Sequence, residues 1–525
     1  MNEFSKFYNN NHDIDLKELV KIKKKKFNDN SKNIKKITDE IFKQLIKIFK
    51  NKNKSNRKLN NIFWKIYLYP WVFFFVSFTL DRYNLVKQNK DKKVKFKKKI
   101  NLRNLYFSNC NEFHSSLRNN LKTNFYFCNF IFNLIKKKKN FFYYQVEKSN
   151  QEYKSSHFLF LKFLKFFDFK IGYSIRTFNI KSFILNILYY KIIQIPTPRY
   201  ISNTSIDQNF RNKININFKQ NSEFKKVLKN LLPLVIPKSF IEDFSNLKNN
   251  IDNYFPKNAN KIFSENFVLN EDQLRMWLAI SKVKKTKLFF FQHGGAYTDK
   301  INSLIELEYK LSDKHYIFAR KIRLKEKQFT DKVFLRIKNI NQPTTKKILL
   351  PVTDTTNFNK NYEFPSPSDY ILCYKEIYNF IENLHPSIQN KLIIRFRPNT
   401  KKNFFFYKIL KKKFPKIYIQ IPNKGIQADL KSSLLFINSI NSTTFMQALL
   451  SGIPTLSILN KNYFLPKKKY KKYYDYLKKN NLLFTDGITA AKFLNKKFYD
   501  KKFWYSSKYK YVISHFIKNI IYKNE

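Results

Sequence analysis

The sequence predicts an α/β protein with parallel, doubly wound sheets. Between residues 347 and 459, short apolar segments typical of strands alternate with segments typical of helices. A phenylalanine-rich strand at 285–291 runs directly into two adjacent glycines. A further strand at 433–439 runs into a polar turn that opens a helix. Sheets of this kind bind ligands at the carboxyl ends of their strands, so both turns are candidate sites.

The predicted elements follow one another regularly after residue 260. Residues 271–283 are expected to form a helix, because Leu274, Trp277 and Leu278 are spaced for one buried side. Its acidic start at Glu271 suits the positive end of a helix. The later elements are strands at 347–352, 391–398, 416–422, 433–439 and 454–459, and helices at 368–384, 403–413 and 443–451.

An apolar stretch nearer the amino terminus is predicted to be a buried helix. Residues 61–90 are expected to form one helix that ends near Asp81 and Arg82. Its most apolar part, Ile66–Leu80, is about 15 residues long, whereas a membrane-spanning helix needs about 20. We therefore expect it to lie inside the protein. The polar start of the chain, MNEFSKFYNNNHDID, has no apolar core, so no secretory signal is expected.

Composition limits what the protein can be. Of its 525 residues, 43% are hydrophobic and 18% aromatic, which is enough to bury a large core. The cysteines, Cys110, Cys128 and Cys373, are too few and too scattered for a disulfide framework or a structural zinc site, which favours a reducing, cytosolic setting. No P-loop, GxSxG, HExxH, CxxC or GxGxxG pattern occurs, so NTPase, hydrolase, zinc-protease and simple dehydrogenase functions have no support.

The formal net charge of +65 is interpreted mostly as background. The chain has 89 lysines but only 13 arginines and six glycines, a bias that an AT-rich gene would produce. Residues 1–150 carry 35 basic and 11 acidic side chains, whereas residues 261–320 carry 10 and 7. The charge therefore does not follow the motifs. Nucleic-acid binding is disfavoured, since arginine-rich and glycine-punctuated patterns are missing, while an anionic membrane surface would suit the basic amino-terminal half.

The first chemical motif is Gln292-His293-Gly294-Gly295, directly after the phenylalanine strand. A glycine pair here lets the backbone approach a ligand closely and turn N–H groups toward a phosphate. His293 would act as a general base or donate to a phosphate oxygen. The alternative is a tight turn with a structurally bonded histidine. Because two of only six glycines stand here, we favour function.

The second motif is the turn Asn441-Ser442-Thr443-Thr444, which opens a predicted helix. One of its hydroxyl residues is expected to cap the helix, and Gly452 is expected to end it. The helix start offers unpaired N–H groups and the positive end of the helix dipole, which favour an anion such as a diphosphate. Ordinary capping of a strand–helix–strand unit is the alternative.

The third motif is a pair of arginines, Arg395 and Arg397, at the end of the strand predicted at 391–398. Alternation along a strand puts them on the same face. Two guanidinium groups at a strand end can clamp phosphate oxygens. The alternative is a surface ion pair.

Acidic residues follow the first motif within a short stretch of balanced charge. They are Glu306, Glu308 and Asp313. One of them is a candidate second catalytic carboxylate beside His293.

In this order and spacing, the motifs resemble a bacterial family of transferases associated with surface-polysaccharide and O-antigen genes. That family is distantly similar to capsule polysaccharide transferases and CDP-glycerol glycerophosphotransferases. The resemblance covers roughly residues 60–90 and 260–490. The matching residues are Trp64, Pro70, Trp71, Asp81, Arg82, Trp277, Ala279, Gln292 to Gly295, Glu308, Ser312, Asp313, Arg395, Arg397, Asn441 to Thr444 and Gly452 to Thr455.

The resemblance implies a GT-B-like α/β fold, in which two Rossmann-like domains face a cleft behind a helical N-terminal extension. The implied units are the extension at 1–95, an acceptor domain at 96–340, a nucleotide-donor domain at 341–490 and C-terminal helices at 491–525. The implied reaction moves a sugar or polyol-phosphate group from a nucleotide-activated donor to a cell-surface glycan or lipid-linked acceptor. The implied location is the cytoplasm, with peripheral contact to the inner membrane.

The resemblance also assigns roles to residues. His293 would be the base or a phosphate ligand, with Glu308 or Asp313 as the second carboxylate. No cofactor or metal ion is expected, because the arginines and the helix start would neutralise the leaving diphosphate. Gln447 stands where the family usually has an acid that holds the ribose. The residues expected to bind the donor are Gln292, Gly294, Gly295, Arg395, Arg397, Asn441, Ser442, Thr443, Thr444 and Gln447.

Two other functions are left open. Gln447 in place of an acid would also fit a catalytically inactive protein that binds a glycan or a nucleotide. A basic RNA-binding protein would fit the charge, and its retention of RNA would depend steeply on salt.

Overall fold

The structure is a computed structural model, and it shows two parallel sheets, each with its own hydrophobic core. The residues that it describes are 24–52, 58–88, 105–136, 170–173, 192–195, 202, 204–257, 259–265, 271–292, 303–318, 323–328, 347–354, 367–398, 400, 404–422, 425–461, 463–464 and 466–521.

The elements are numbered here in chain order. The strands are β1 Lys170–Tyr173, β2 Ile192–Ile195, β3 Lys261–Glu265, β4 Lys287–Phe291, β5 Lys314–Ile317, β6 Glu326–Gln328, β7 Lys347–Val352, β8 Leu392–Phe396, β9 Tyr418–Gln420, β10 Ser433–Asn438, β11 Thr455–Ile458 and β12 Leu483–Phe484. The helices are α1 Lys24–Lys52, α2 Asn61–Tyr67, α3 Tyr69–Gln88, α4 Cys110–Asn119, α5 Leu121–Ile135, α6 Gln208–Asn212, α7 Glu223–Val235, α8 Phe244–Tyr254, α9 Asp272–Val283, α10 Ser303–Leu311, α11 Pro367–Glu382, α12 Pro386–Gln389, α13 Phe405–Lys413, α14 Gln427–Lys431, α15 Thr443–Leu450, α16 Lys468–Lys479, α17 Gly487–Lys497, α18 Lys501–Trp504 and α19 Ser507–Ile520.

The second sheet has the strand order of a doubly wound nucleotide-binding fold. Its order is β9-β8-β7-β10-β11-β12, and every neighbouring pair is parallel. Counted from β7, this is the order 3-2-1-4-5-6, in which the winding reverses between β7 and β10. All five strands predicted between residues 347 and 459 are present, so the predicted parallel sheet is confirmed.

The first sheet is also parallel throughout, in the order β2-β1-β3-β4-β5-β6. The strand predicted at 285–291 is β4, which lies between β3 and β5 with all but its first residue buried. The phenylalanines of β4 are therefore explained by burial on both faces, as is usual in parallel sheets. With the second sheet, this confirms the α/β class with two Rossmann-like sheets.

The amino-terminal helices belong to the core of the first sheet. Ile41 of α1, Trp64 of α2 and Trp71 of α3 are fully buried in the same hydrophobic cluster as Leu288 and Phe290 of β4. α2 packs along α9, and α1 packs on α3. These helices therefore share one core with the first sheet, and the division into an extension at 1–95 and a domain at 96–340 stays a prediction. Large apolar side chains on these helices need cover on all sides, and the sheet domain supplies it.

The predicted apolar helix is present in two pieces. α2 and α3 are bent by 48° relative to each other, and α3 continues past the expected end near Asp81 and Arg82 to Gln88. Among the described helices none is by itself long and apolar enough to cross a membrane, although this bent pair passes on length and composition. Its residues from Ile66 to Leu80 are all buried, so the prediction of a helix inside the protein is confirmed.

Helix α9 is buried more completely than its pattern predicts. Asp272, Gln273 and Arg275 are as inaccessible as Leu274, while Val283 is exposed. The prediction of a single buried side is therefore wrong. Two of these buried polar side chains are bonded, since the Asp272 carboxylate accepts from the Cys110 N–H at 3.0 Å, from the Ser239 hydroxyl and from Arg275.

The C-terminal helices complete the second core. Phe516 of α19 lies 6.0 Å, ring to ring, from Phe445 of α15. The Tyr509 hydroxyl accepts the N–H of Thr455 at the start of β11, at 2.8 Å. Described residues of 491–521 and of 347–490 therefore share one hydrophobic cluster, and the unit predicted at 491–525 stays a prediction.

Gly487 fixes how closely α17 approaches α11, and this yields a first prediction. A Cβ atom at Gly487 would lie 2.0 Å from the Glu376 carbonyl oxygen and 2.7 Å from the Phe380 nitrogen, both backbone atoms of α11. We expect Gly487→Ala to lower the free energy of unfolding by about 1–3 kcal/mol, because the helices must separate. Thermal unfolding measures it. Gly425→Ala is the matched control, since its Cβ meets only the flexible end of the Gln427 side chain. Equal melting temperatures for the two variants would contradict this account.

His315 makes stability depend on pH. It is fully buried on β5, and burial lowers the pKa of its imidazole from 6.5 to about 4. The unfolded chain therefore binds a proton at a higher pH than the folded one, so stability falls as pH drops below the unfolded pKa. At about pH 5 this costs about 2 kcal/mol of unfolding free energy relative to neutral pH. Chemical unfolding over this range should show a smaller loss for His315→Gln than for the wild type; parallel losses would disprove the assignment.

Candidate functional site

The second sheet carries the predicted polar turn at its switch point. β10 ends at Asn438, and the turn leads into α15 at Thr443. β7 ends beside it at Val352, so the two carboxyl ends open where the strand order reverses. Ligand crevices in doubly wound sheets lie at this position.

The turn is held from within. The Ser442 side chain caps α15 and accepts the N–H of Phe445 at 3.4 Å, which confirms the predicted cap. Asn441 is buried, and its amide donates to the Tyr474 hydroxyl at 3.0 Å. At the other end, Gly452 follows the helix with φ +75°, a left-handed conformation that confirms its predicted role. Asn441 is therefore a support for the turn, with its amide engaged by α16.

Three donor-site candidates lie on the accessible side of this helix start. Thr443, Thr444 and Gln447 are half-buried. Gln447 follows Thr443 by one turn, so both lie on the same face of α15. A ligand at the helix start could therefore reach both side chains.

Arg395 is engaged by a carboxylate. It is 5% exposed, and its Nε donates to Asp429 Oδ2 at 2.6 Å. The Gln420 amide donates to the other oxygen of Asp429 at 3.2 Å. Arg395 therefore forms an ion pair, as the alternative interpretation of the arginine motif predicts, but the pair is buried instead of lying at the surface. Arg395 joins β8 to α14 at the carboxyl edge of the sheet.

Arg397 differs from Arg395 in exposure. β8 ends at Phe396, so Arg397 lies one residue beyond the strand and is exposed. The predicted pair on one strand face is therefore corrected to one buried and one exposed arginine. Burial raises the pKa of the Tyr374 phenol. The charge of Asp354 raises this pKa further and the charge of Arg397 lowers it, so both charges reach Tyr374 beside the end of β7. The Tyr374 hydroxyl donates to the Thr353 carbonyl there at 2.7 Å.

In the first sheet, Gln292 connects two strand ends. It is buried directly after β4, its N–H donates to the Tyr316 carbonyl at 2.8 Å, and its Oε1 accepts the Phe318 N–H at 2.9 Å. These bonds tie the end of β4 to the end of β5. The rest of that motif, His293, Gly294 and Gly295, lies outside the described residues.

The two predicted carboxylates are placed differently. Glu308 is buried on α10. Asp313 lies before β5, where it pairs with Lys282 at 2.6 Å and accepts the Leu288 N–H at 2.7 Å. That is the amino edge of the sheet, about 13 Å along β4 from Gln292. The structure does not bring Asp313 to the edge that carries the first motif, so we leave it out of the site.

Sequence analysis missed Asp429. It is the only acidic residue between Glu382 and Asp475 in a lysine-rich stretch. A lone carboxylate kept among so many cations is a signal that could have identified it as an internal partner for an arginine. Asp354 and Tyr374 were missed because nothing in their spacing sets them apart.

Burial makes the cysteines unsuitable as nucleophiles. Burial raises the pKa of the Cys128 and Cys373 thiols to about 12 and that of Cys110 well above its ordinary value. These thiols therefore stay protonated and cannot serve as thiolate nucleophiles. Within the described ranges, no group of three or more His, Cys, Asp or Glu side chains is placed to hold a metal ion.

Comparison with known proteins identifies the family. The profile of the LIC12162 family transferases matches residues 2–525, so the chain belongs to this family. The predicted resemblance to a transferase family is thereby confirmed. A search of curated protein sequences gave no match.

Several solved structures are similar in part. A co-structure of S. aureus MnaA with UDP is 10% identical, with a TM-score of 0.37 over 65% of this chain and 90% of that one. The spinosyn rhamnosyltransferase SpnG, complexed with spinosyn aglycone, is 7% identical, with a TM-score of 0.31 over 53% and 73%. Phytolacca americana UGT2, complexed with UDP-2-fluoro-glucose and pterostilbene, is 8% identical, with a TM-score of 0.30 over 70% and 92%. Likenesses this low are no evidence of shared activity.

The ion pair between Arg395 and Asp429 is predicted to stabilise the carboxyl edge of the second sheet. Asp429→Asn keeps the side-chain size but removes the negative charge beside a buried guanidinium. We expect it to lower the free energy of unfolding by about 2 kcal/mol, since Asp429 is partly open to solvent and the full cost of a buried pair is higher. Combining Arg395→Met with Asp429→Leu should recover much of this loss.

Thermal unfolding of the three proteins tests the pair. Asp475→Asn is the control, because Asp475 pairs with Lys471 on the exposed face of α16 and should matter little. If Asp429→Asn were as harmless as Asp475→Asn, the pair would not support the sheet edge.

Proposed function

We propose that this LIC12162 family transferase moves a sugar or polyol-phosphate group from a nucleotide-activated donor to a cell-surface glycan or lipid-linked acceptor. One observation carries the proposal: the switch point of the second sheet, the start of α15 and the exposed Arg397 lie at the same carboxyl edge. Each of these features favours an anionic, nucleotide-like ligand.

The donor diphosphate would lie at the start of α15. The N–H groups of Thr443 and Thr444 precede the one that Ser442 caps, and they lie at the positive end of the helix dipole. Arg397 would add a full positive charge from the end of β8, which lies on the far side of β7 from β10. These groups would stabilise the leaving phosphates without a metal ion.

Gln447 and Arg395 would have different roles in the site, the first toward the ribose and the second toward the protein backbone. Gln447, on the same face as Thr443, would donate to a ribose hydroxyl where related proteins use an acid. Arg395 would act through Asp429, by fixing the end of β8 from which Arg397 projects. Arg395 is therefore proposed as a positioning residue, and Arg397 as the phosphate ligand.

The proposed reaction is a substitution at the donor. His293 would take the proton from an acceptor hydroxyl, and that oxygen would form the new bond. With a sugar donor, the oxygen attacks the anomeric carbon and a nucleoside diphosphate leaves. With a polyol-phosphate donor, it attacks the distal phosphorus and a nucleoside monophosphate leaves. Gln292 would hold the backbone just before His293.

The biological setting is part of the same proposal. A cell-surface glycan such as O-antigen or lipopolysaccharide is assembled from nucleotide-activated donors on the cytoplasmic side, so the protein would work in the cytoplasm at the inner membrane. The acceptor would then be a lipid-linked saccharide.

Nucleotide binding tests the donor site directly. Isothermal titration with a panel of nucleoside mono- and diphosphates should find one that binds the wild type. Arg397→Gln should weaken this binding about tenfold or more, because a charge-assisted bond to phosphate is lost. Lys391→Gln is the matched control, since it removes the same charge at the opposite end of β8 and should leave binding unchanged.

Turnover of the donor that binds separates the enzyme from its alternatives. His293→Ala should bind that donor normally and lose transfer. Unaltered turnover in His293→Ala would remove the proposed base. Normal nucleotide binding without any transfer by the wild type would instead favour the inactive binding protein. Failure of every nucleotide to bind would overturn the proposal.

A further inference from the structure

An aromatic cluster lies at the surface, on the seam between α16 and α19. The rings of Tyr473, Tyr476 and Tyr511 lie 5.9, 5.1 and 6.3 Å from the ring of His515. Tyr511 is 65% exposed, and the other three side chains are half-buried. Tyr473 and Tyr476 pack against the edge of the second hydrophobic core, whereas Tyr511 stands out from it, so core packing does not account for Tyr511.

Lysines surround this cluster. Lys472 precedes Tyr476 by four positions, Lys479 follows it by three, and Lys508 precedes Tyr511 by three, which are the spacings of neighbours on a helix surface. All three lysines are exposed, and Lys472 lies 5.1 Å above the ring of Tyr473.

Negative charge is scarce on the same surface. Asp475 is the only acidic residue in the two helices, and it pairs with Lys471. The surface defined by these aromatic and basic residues of α16 and α19, here called the tyrosine–lysine face, is therefore strongly positive around an amphipathic centre.

The composition of this face matches a lipid headgroup layer. Tyrosine is enriched where bilayer meets water, because its ring is apolar and its hydroxyl is polar. Lysines near such a surface are drawn to anionic lipids. The RNA alternative is less well matched, because single-stranded bases stack on accessible ring faces and on arginine. Here three of the four rings are half-buried against one another, and neither helix contains arginine.

We propose that the tyrosine–lysine face docks the protein on an anionic lipid bilayer, with the tyrosines at headgroup depth and the lysines on lipid phosphates. The inference uses no residue of the donor site and does not depend on the proposed transfer reaction. It would place the second sheet, rather than the basic amino-terminal helices, against the membrane.

Vesicle binding by the full-length protein tests the docking face. Flotation is measured with vesicles of phosphatidylglycerol and phosphatidylcholine in equal parts, and with phosphatidylcholine alone. The triple variant Lys472→Gln, Lys479→Gln, Lys508→Gln should bind the anionic vesicles about a hundredfold more weakly, since each lysine contributes about fivefold. Tyr511→Ser should weaken binding a few-fold with no change in charge.

A control of equal charge separates a specific face from general basicity. Lys36, Lys43 and Lys47 are exposed on α1, and their triple replacement by Gln removes the same charge elsewhere. We expect this control to bind anionic vesicles nearly as the wild type does. Equal losses in the two triple variants would overturn the proposal, as would a wild type that does not float with anionic vesicles.

The same variants would also reveal a nucleic-acid partner. Retention of single-stranded RNA that the α16–α19 variant loses, without any vesicle binding by the wild type, would reassign the face and also overturn the proposal. Nucleotide titration of the variant provides the remaining check. Donor affinity should be unchanged, so failure of docking and failure of the donor site are distinguishable.

Discussion

The fold depends on buried pairs between arginines and carboxylates. In a chain where lysine is the common cation, several of the described arginines stand where a planar guanidinium bonds more than one group at once. Arg211, for example, bonds both oxygens of Glu242 and the carbonyls of Pro233 and Ile236 that end α7. A lysine has one nitrogen and could not satisfy this set. Other buried pairs are Arg82–Asp81, Arg275–Asp272 and Arg395–Asp429, while the partly exposed Arg323 pairs with both Glu306 and Glu326.

In the first domain, the need to pair a buried charge also fixes how distant helices pack together. Asp272 at the start of α9 receives bonds from Arg275, from Ser239 and from the N–H of Cys110 at the start of α4. The segments that meet there are far apart in sequence. Because Asp272 is fully buried, its charge must be balanced by these donors, and that requirement fixes where α4 stands against α9.

In the second domain, the need to pair a buried charge places two arginines that are close in sequence in different surroundings. Arg395 is tied to Asp429, whereas Arg397, just beyond the strand, has its charge near solvent. Alternation along the chain predicts that the two are equivalent. The difference arises because α14, which is distant in sequence, brings the only carboxylate of that region to Arg395 and not to Arg397. Contacts of this kind are set by packing and leave little trace in a local pattern.

Local patterns in the sequence were enough to predict the α/β class, the parallel strands of the second sheet, a hydroxyl cap within Ser442 to Thr444 and the glycine that ends α15. These follow from periodicity and backbone preferences, which act over a few residues. The local patterns did not reveal that α15 starts at the switch point, that Asp313 lies at the opposite edge of its sheet from Gln292, or that Arg395 pairs with Asp429. The physical reason is that strand order and buried charge pairing are settled between distant segments, by the need to cover apolar surface and to compensate each buried charge.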